Sequence, residues 1–441
     1  MKMIAAWISV GLWLNCAMCS AVDAQENRID AIRSDAPELA RWGSHAVGVL
    51  SLDLVNPGQV NVVQVSATQP TPVYDRPLKV EVWYPASTDP TRLPSGIYSV
   101  TTRDAKTVAT LRGRAVRAAP ADTVPGPYPL VIISHGYPGN RFLLSHLAEN
   151  LAGKGYVVAS IDHTDSTYTD KAAFGSTLRN RPLDILFVLN ALAKINDRKD
   201  HALSQMVDAQ HTALIGYSMG GYGVINAVGG GVTAVSVMQP WSAPNGLLRI
   251  RQAGNPEYLA SLDSRIKAAV AFAPWGWNAG LWDAAGLAGV KVPVFFVAGS
   301  VDDVSGYSPG VRNVFENSSH VPRYLLTFEN ANHNAGAPIP APRETWALEG
   351  QPGFMAQEHY SDPVWDNVRM NNIAQHFVTA FLGRYLRNDA SLSPYLDLVE
   401  SSGKGKWSVD ASGKPNADHT YWKGFPERSA VGLKLEYLPG Q

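Results

Sequence analysis

Thr212-Ala213-Leu214-Ile215-Gly216-Tyr217-Ser218-Met219-Gly220-Gly221 opens as an apolar run and closes in small residues. The run 212–217 does not alternate polar with apolar, which predicts a strand buried on both faces. The small apolar residues from Met219 onward predict a helix. Between the two, Gly216 to Gly220 has the form G-x-S-x-G. A turn this tight strains the central serine and points its hydroxyl away from the sheet, and the flanking glycines make room for the crossing backbone. The following helix aims its N-terminus at the same place, which favours developing negative charge. Ser218 is the candidate nucleophile.

The same texture extends outward. Apolar runs at 130–133, 156–161, 266–273, 294–298 and 324–328 predict further strands. Leu143, Leu144, Leu147 and Leu151 fall at helical spacing, as do the apolar residues of 183–193 and of a final long helix, 370–386. Strands alternating with helices predict an α/β fold with a mostly parallel sheet covered on both faces. Residues 79–84, KVEVWY, alternate as a half-buried antiparallel strand does; 45–55 predicts another early strand. The stretch 88–127 is polar and predicts loops and short pieces. Two insertions, at about 235–262 and 335–365, are rich in Pro, Gly and Trp and suit a lid or pocket walls. The expected organisation is a leader at 1–24, an N-terminal segment at 25–77, a catalytic domain at 78–388 and a C-terminal extension at 389–441 packed on that domain.

In a parallel sheet the ligand sits beyond the carboxyl ends of the strands, so those ends hold the partners that a serine needs. A serine hydroxyl is a poor nucleophile without a base and a group that orients the base. The acid follows the run 294–298, at Asp302 or its neighbour Asp303; the spacing from Gly299 favours Asp302. The base follows the run 324–328, at His333. His320 precedes that run, at the wrong end, and His359 falls in an insertion and is expected on the surface or a lid. Backbone N–H donors for an oxyanion are expected from Met219, next to the nucleophile, and from Tyr137, since Pro138 has no N–H to give. His135 belongs to the same loop and is expected to brace it. Asp162, His163 and Asp165 imitate a metal-ligand spacing, but no further ligand cluster accompanies them; they are expected to brace loops at the pocket rim, with His163 also a candidate substrate contact. Trp275 and Trp277, with Trp241, Trp282 and Trp346, fall after strands or in insertions; the first two are candidates for an apolar or aromatic acyl pocket.

This constellation resembles the α/β-hydrolase family over residues 78–387. The blocks Ala273-Pro274-Trp275 and Val292-Pro293-Val294, with the Asp302 turn, are similar to cutinase-like polyesterases. His135-Gly136 and Ile161-Asp162-His163 are similar to platelet-activating-factor acetylhydrolases, and the whole resembles dienelactone-hydrolase-related esterases. The resemblance implies Ser218 as nucleophile, Asp302 as acid, His333 as base, and Tyr137 and Met219 as oxyanion donors. A dienelactone hydrolase proper carries cysteine where this chain has Ser218, which turns the expectation toward ordinary esters.

Composition fits that reading. The chain has 441 residues, 45% of them hydrophobic, and a formal net charge of -1, so no basic field gathers nucleic acid. Lys2, the apolar stretch 4–14 and the small residues Val22 and Ala24 predict a cleaved export signal. The stretch is too short for a membrane span, which needs about 20 apolar residues. Both cysteines, Cys16 and Cys19, lie inside it; a lipid anchor on either is the minor alternative to a free periplasmic or secreted protein. The expected function is hydrolysis of a small or polymeric carboxylic ester through an acyl-enzyme, with no metal or cofactor. Peptide hydrolysis or acyl transfer by the same residues is the alternative, and a catalytically silent binding protein the alternative of another class.

Overall fold

A computed structural model describes residues 27–87, 96–171, 173–346 and 356–441; the predicted leader lies outside them. Thirteen strands are described: β1 (Asn27–Arg28), β2 (Ala46–Val60), β3 (Val73–Ala86), β4 (Gly96–Thr101), β5 (Val108–Gly113), β6 (Val116–Arg117), β7 (Tyr128–Ser134), β8 (Val157–Asp162), β9 (Val207–Tyr217), β10 (Ile266–Phe272), β11 (Val294–Gly299), β12 (Arg323–Phe328) and β13 (Leu433–Leu438). Ten form one sheet in the order β13-β12-β11-β10-β9-β7-β8-β3-β2-β6. From β12 to β8 every pairing is parallel, and β13, β3 and β2 add antiparallel pairings at the two sides.

Successive residues of a strand face opposite sides, and both sides are filled. Val131, Ile133, Ala213, Ile215, Val270 and Phe295 pack on one face with Leu147 and Leu151 of helix α1 (Ser145–Gly153) and with Phe377 and Phe381 of the long helix Asn367–Leu386. Leu130, Ile132, Leu214, Ala269 and Phe296 pack on the other with Ile185 and Leu189 of α2 (Phe174–Asn196) and Tyr222 and Ile225 of α3 (Met219–Ala227). This is the α/β architecture predicted from the apolar runs.

Register levels the strand ends. Ser134 pairs with Gly216, Tyr217 with Phe272, Phe272 with Val297, and Gly299 with Phe328. The loops after β7, β9, β11 and β12 therefore leave one rim side by side.

Three regions differ from the sequence reading. The stretch 88–127 holds β4 and β5, an antiparallel pair that forms a separate small sheet with β1. The C-terminal residues supply β13, whose Leu433 and Leu435 are buried against the main sheet. Helix α2 begins well before residue 183 and runs through Pro182. Proline at that position leaves the carbonyl four residues earlier without its helical donor; here the Tyr222 hydroxyl donates to Leu178 O at 2.9 Å instead.

Candidate active site

The turn from β9 into α3 holds Ser218 at φ 55°, ψ -115°, a conformation that L residues rarely adopt. Its neighbours must be glycine for reasons of space. A Cβ on Gly216 would lie 2.2 Å from Gly220 O, and one on Gly220 would lie 1.9 Å from Ser134 O. The turn is pinned from below, since Ser218 N donates to Phe272 O at 2.9 Å. Ser218 is 7% exposed, with its hydroxyl facing a cleft.

Ser218 Oγ lies 2.9 Å from His333 Nε2. On the other side of the ring, His333 Nδ1 is 3.0 Å from both Asp302 Oδ1 and Oδ2. The Asp302 side chain is buried, and Oδ1 also accepts from Val304 N at 2.9 Å and Ser305 N at 2.8 Å. Burial pushes this carboxyl up, but the His333 hydrogen bond and charge, with the two backbone N–H groups, hold it below the usual carboxylate range. Asp303 is exposed; its backbone N–H donates to Asn332 Oδ1 at 3.0 Å. The geometry thus joins Ser218, His333 and Asp302, and leaves Asp303 outside the chain.

Gly136 brings the loop after β7 against this turn: a Cβ there would meet the Tyr217 ring at 3.1 Å and Ser218 Cβ at 3.5 Å. Tyr137 follows it and lines the cleft. Met219 is the first residue of α3, where N–H groups have no intrahelical acceptor. The cleft has a volume of about 670 Å³ and is bounded by Ser218, His333 and Tyr137, by Arg103 from the small sheet, and by residues 357–363.

A family model described as PET hydrolase-like matches residues 84–253, a span that holds Tyr137 and Ser218 and ends before Asp302 and His333. Cutinase 2 of Thermobifida cellulosilytica is 24% identical over 209 residues, 47% of this chain and 61% of that protein. Cutinase est1 of Thermobifida alba is 25% identical over 211 residues, 47% of this chain and 54% of that protein. The match therefore spans only a little over half the length of these relatives. The solved structure of a ferulic acid esterase from Streptomyces cinnamoneus superposes with a TM-score of 0.53 at 22% identity, over 82% of this chain and 93% of that one.

The chain has the α/β-hydrolase fold.

Within this fold the loop that carries Tyr137 rests on a buried polar network. Arg181, 1% exposed on α2, donates to His135 O and to Ser134 Oγ (3.1 Å). The Ser134 hydroxyl is 2.9 Å from His163 Nε2, and His163 Nδ1 is 3.0 Å from Asp184 Oδ2. Arg76 in turn pairs with Asp184 through Nε at 2.8 Å and Nη2 at 3.0 Å. His135 closes the circuit: Nε2 accepts from His163 N at 3.3 Å and Nδ1 donates to Gly136 O at 2.6 Å. Burial, then the nearby Arg181 charge, pushes His163 down to about 4, so its ring is neutral and donates through Nδ1. Desolvation likewise lowers Arg181 to about 9.

The three candidate substrate contacts, His163, Trp275 and Trp277, take other places. His163 is 0% exposed and has both ring nitrogens bonded, so it sits beneath the loop after β7 and not on a wall of the cleft. Asp162, His163 and Asp165 each face a separate partner, Arg141, Asp184 and Arg76 respectively. Trp275 and Trp277 are half-buried and stand outside the cleft's lining. Trp275 nevertheless touches the turn, its N–H donating to Ser218 O at 3.2 Å. Its ring meets Phe174 edge-on at 5.4 Å, and Phe174 meets Tyr137 at 5.5 Å and Trp241 at 6.3 Å.

Sequence reading passed over Arg181, Asp184 and Arg76, which lie far from any motif. It also passed over Asn334, whose position beside His333 was the one available signal, and it placed His359 on the surface or a lid. His359 is half-buried and 2.8 Å from the Tyr168 hydroxyl, and it lines the cleft.

Proposed function

We propose that the protein is a carboxylic ester hydrolase working through a Ser218 acyl-enzyme. The observation that carries this reading is the unbroken hydrogen-bond chain from Ser218 Oγ through His333 to Asp302, at 2.9 Å and 3.0 Å, on a strained turn that presents the hydroxyl to a cleft. Ser218 attacks the ester carbonyl while His333 Nε2 takes its proton. The imidazolium is stabilised by Asp302, which keeps its negative charge because it is already hydrogen-bonded as a carboxylate. Backbone N–H groups of Tyr137 and Met219 hold the tetrahedral oxyanion. His333 then protonates the departing alkoxide, and water repeats the sequence on the acyl-enzyme.

The relatives' names, cutinase and ferulic acid esterase, favour esters over amides. Export through a cleaved leader is part of the same proposal; among the described residues no helix is long and apolar enough to cross a membrane.

The test is a fluorophosphonate probe combined with an ester panel of graded acyl length that includes a polyester film, a phthalate diester and a peptide amide. The expected result is stoichiometric labelling of the wild type, none of Ser218→Ala, and turnover of esters over the amide. An unlabelled wild type, or Ser218→Ala retaining turnover, overturns the proposal.

A further inference from the structure

We infer that residues 357–363 form the subsite for the leaving alcohol, and that it selects alcohols carrying hydroxyl groups beyond the ester oxygen. The inference rests on the ester-hydrolase reading above and adds which half of the ester the cleft recognises.

The side is fixed by proton transfer. His333 Nε2 must reach the leaving oxygen to protonate it, so the alcohol lies on the His333 side of the scissile bond. On that side the cleft is walled by the short helix Ala356–His359 and the residues after it.

That wall is keyed to the base. Asn334, adjacent to His333 and 8% exposed, donates through Nδ2 to Glu358 O and to Ser361 O, each at 2.7 Å. Its Oδ1 accepts from the Tyr217 hydroxyl at 2.7 Å. One amide therefore ties the wall to the residue before Ser218 and the residue after His333. On the other side of His333, Asn332 N donates to Asp362 Oδ2 at 2.6 Å. Tyr168 meets His359 at 2.8 Å, and Arg103 N donates to the Tyr360 hydroxyl at 3.2 Å. With backbone and carboxylate so committed, the wall stands in a fixed register relative to His333.

The wall's chemistry is polar. Gln357, Glu358, His359 and Ser361 all line the cleft. An alkyl chain placed here would strip water from these groups without replacing its hydrogen bonds, which is costly. A polyol would replace them.

The experiment compares 1-glyceryl butyrate with pentyl butyrate, which share an acyl group and match in alcohol size. Both yield the same acyl-enzyme, so the ratio of their kcat/KM values reports the alcohol side alone. The expected wild-type ratio favours the glyceryl ester by about tenfold, the scale of one or two hydrogen bonds gained. Gln357→Ala and Glu358→Ala keep the carbonyls that Asn334 holds, and each should lower the ratio about three- to fivefold. Asn334→Asp keeps an acceptor for Tyr217 but has no N–H for Glu358 O and Ser361 O, and should bring the ratio close to one. Because the ratio cancels any general loss of activity, a merely structural role for Asn334 would leave it unchanged. A wild-type ratio at or below one, or a ratio unmoved in all three variants, overturns the inference. If Asn334→Asp does not fold, the two side-chain variants decide it. Absence of both ester turnover and probe labelling would instead refute the hydrolase reading itself.

Discussion

Asp302 meets His333 symmetrically, with both carboxylate oxygens 3.0 Å from Nδ1. Such a pairing fixes the ring's tautomer, leaving Nε2 free to accept the Ser218 proton. Asp302→Asn is expected to lower kcat by about 10³–10⁴-fold with little change in the fold, because an amide can present N–H to Nδ1 and reverse the tautomer. The same change at Asp303, exposed and outside the chain, should cost less than about tenfold. Steady-state kinetics on one p-nitrophenyl ester separates the two.

Ser218 stores backbone strain. At φ 55° a side chain costs on the order of 1–3 kcal/mol, a cost glycine does not carry. Ser218→Gly should therefore abolish turnover while raising the unfolding free energy by about 1 kcal/mol. Urea denaturation would show it as a higher midpoint at unchanged slope; a lower midpoint would mean the turn is not strained.

Arg181 supports the loop after β7 from below. Arg181→Met removes its donors to His135 O and Ser134 Oγ while filling similar space. We expect a loss of about 3–5 kcal/mol, typical of breaking a buried charged network, and a fall in kcat larger than any change in KM, since the displaced element is the one carrying the Tyr137 N–H. Arg181→Lys should restore part of the kcat.

Glu149 gives a pH signature far from the cleft. It is buried on α1, accepts from Arg114 N at 2.7 Å and Ala115 N at 3.2 Å, and takes the Tyr98 hydroxyl at 2.5 Å. Burial raises it from 4.5 to about 7 despite these donors. Its folded value lies above its unfolded one, so the folded state holds the proton more tightly. The stability that proton brings is fully present below about 4.5 and is lost as pH rises through 7, by about 3 kcal/mol. Glu149→Gln should start less stable at pH 4.5 and lack this part of the decline. Thermal denaturation across pH 4.5 to 7.5 would reveal it; parallel profiles for the two proteins would refute the assignment.

Much of this molecule could be read without coordinates, for identifiable reasons. The run 212–217 announced a buried strand because its residues face apolar layers on both sides, and Gly216 and Gly220 announced the turn because no other residue fits. The choice between Asp302 and Asp303 needed the turn itself, where Val304 N and Ser305 N converge on Asp302. The early start of α2 was hidden by Pro182, because only a tertiary contact from Tyr222 supplies the missing donor. The alternations Gly96–Thr101 and Leu433–Leu438 are genuine strand signals diluted by polar surroundings. Arg76, Asp184 and Arg181 were illegible because burial, not spacing, makes them a unit. Residues 357–363 carry no periodicity at all, and their place follows from Asn334.

Strand β13 has one last consequence. It borders β12, the strand that delivers His333, yet it lies some two hundred residues after Ser218 in the chain. Closing the sheet beside His333 therefore needs a pairing between segments more than a hundred residues apart, Arg323 with Leu438 and Phe328 with Leu433, and contacts of such long sequence separation form slowly.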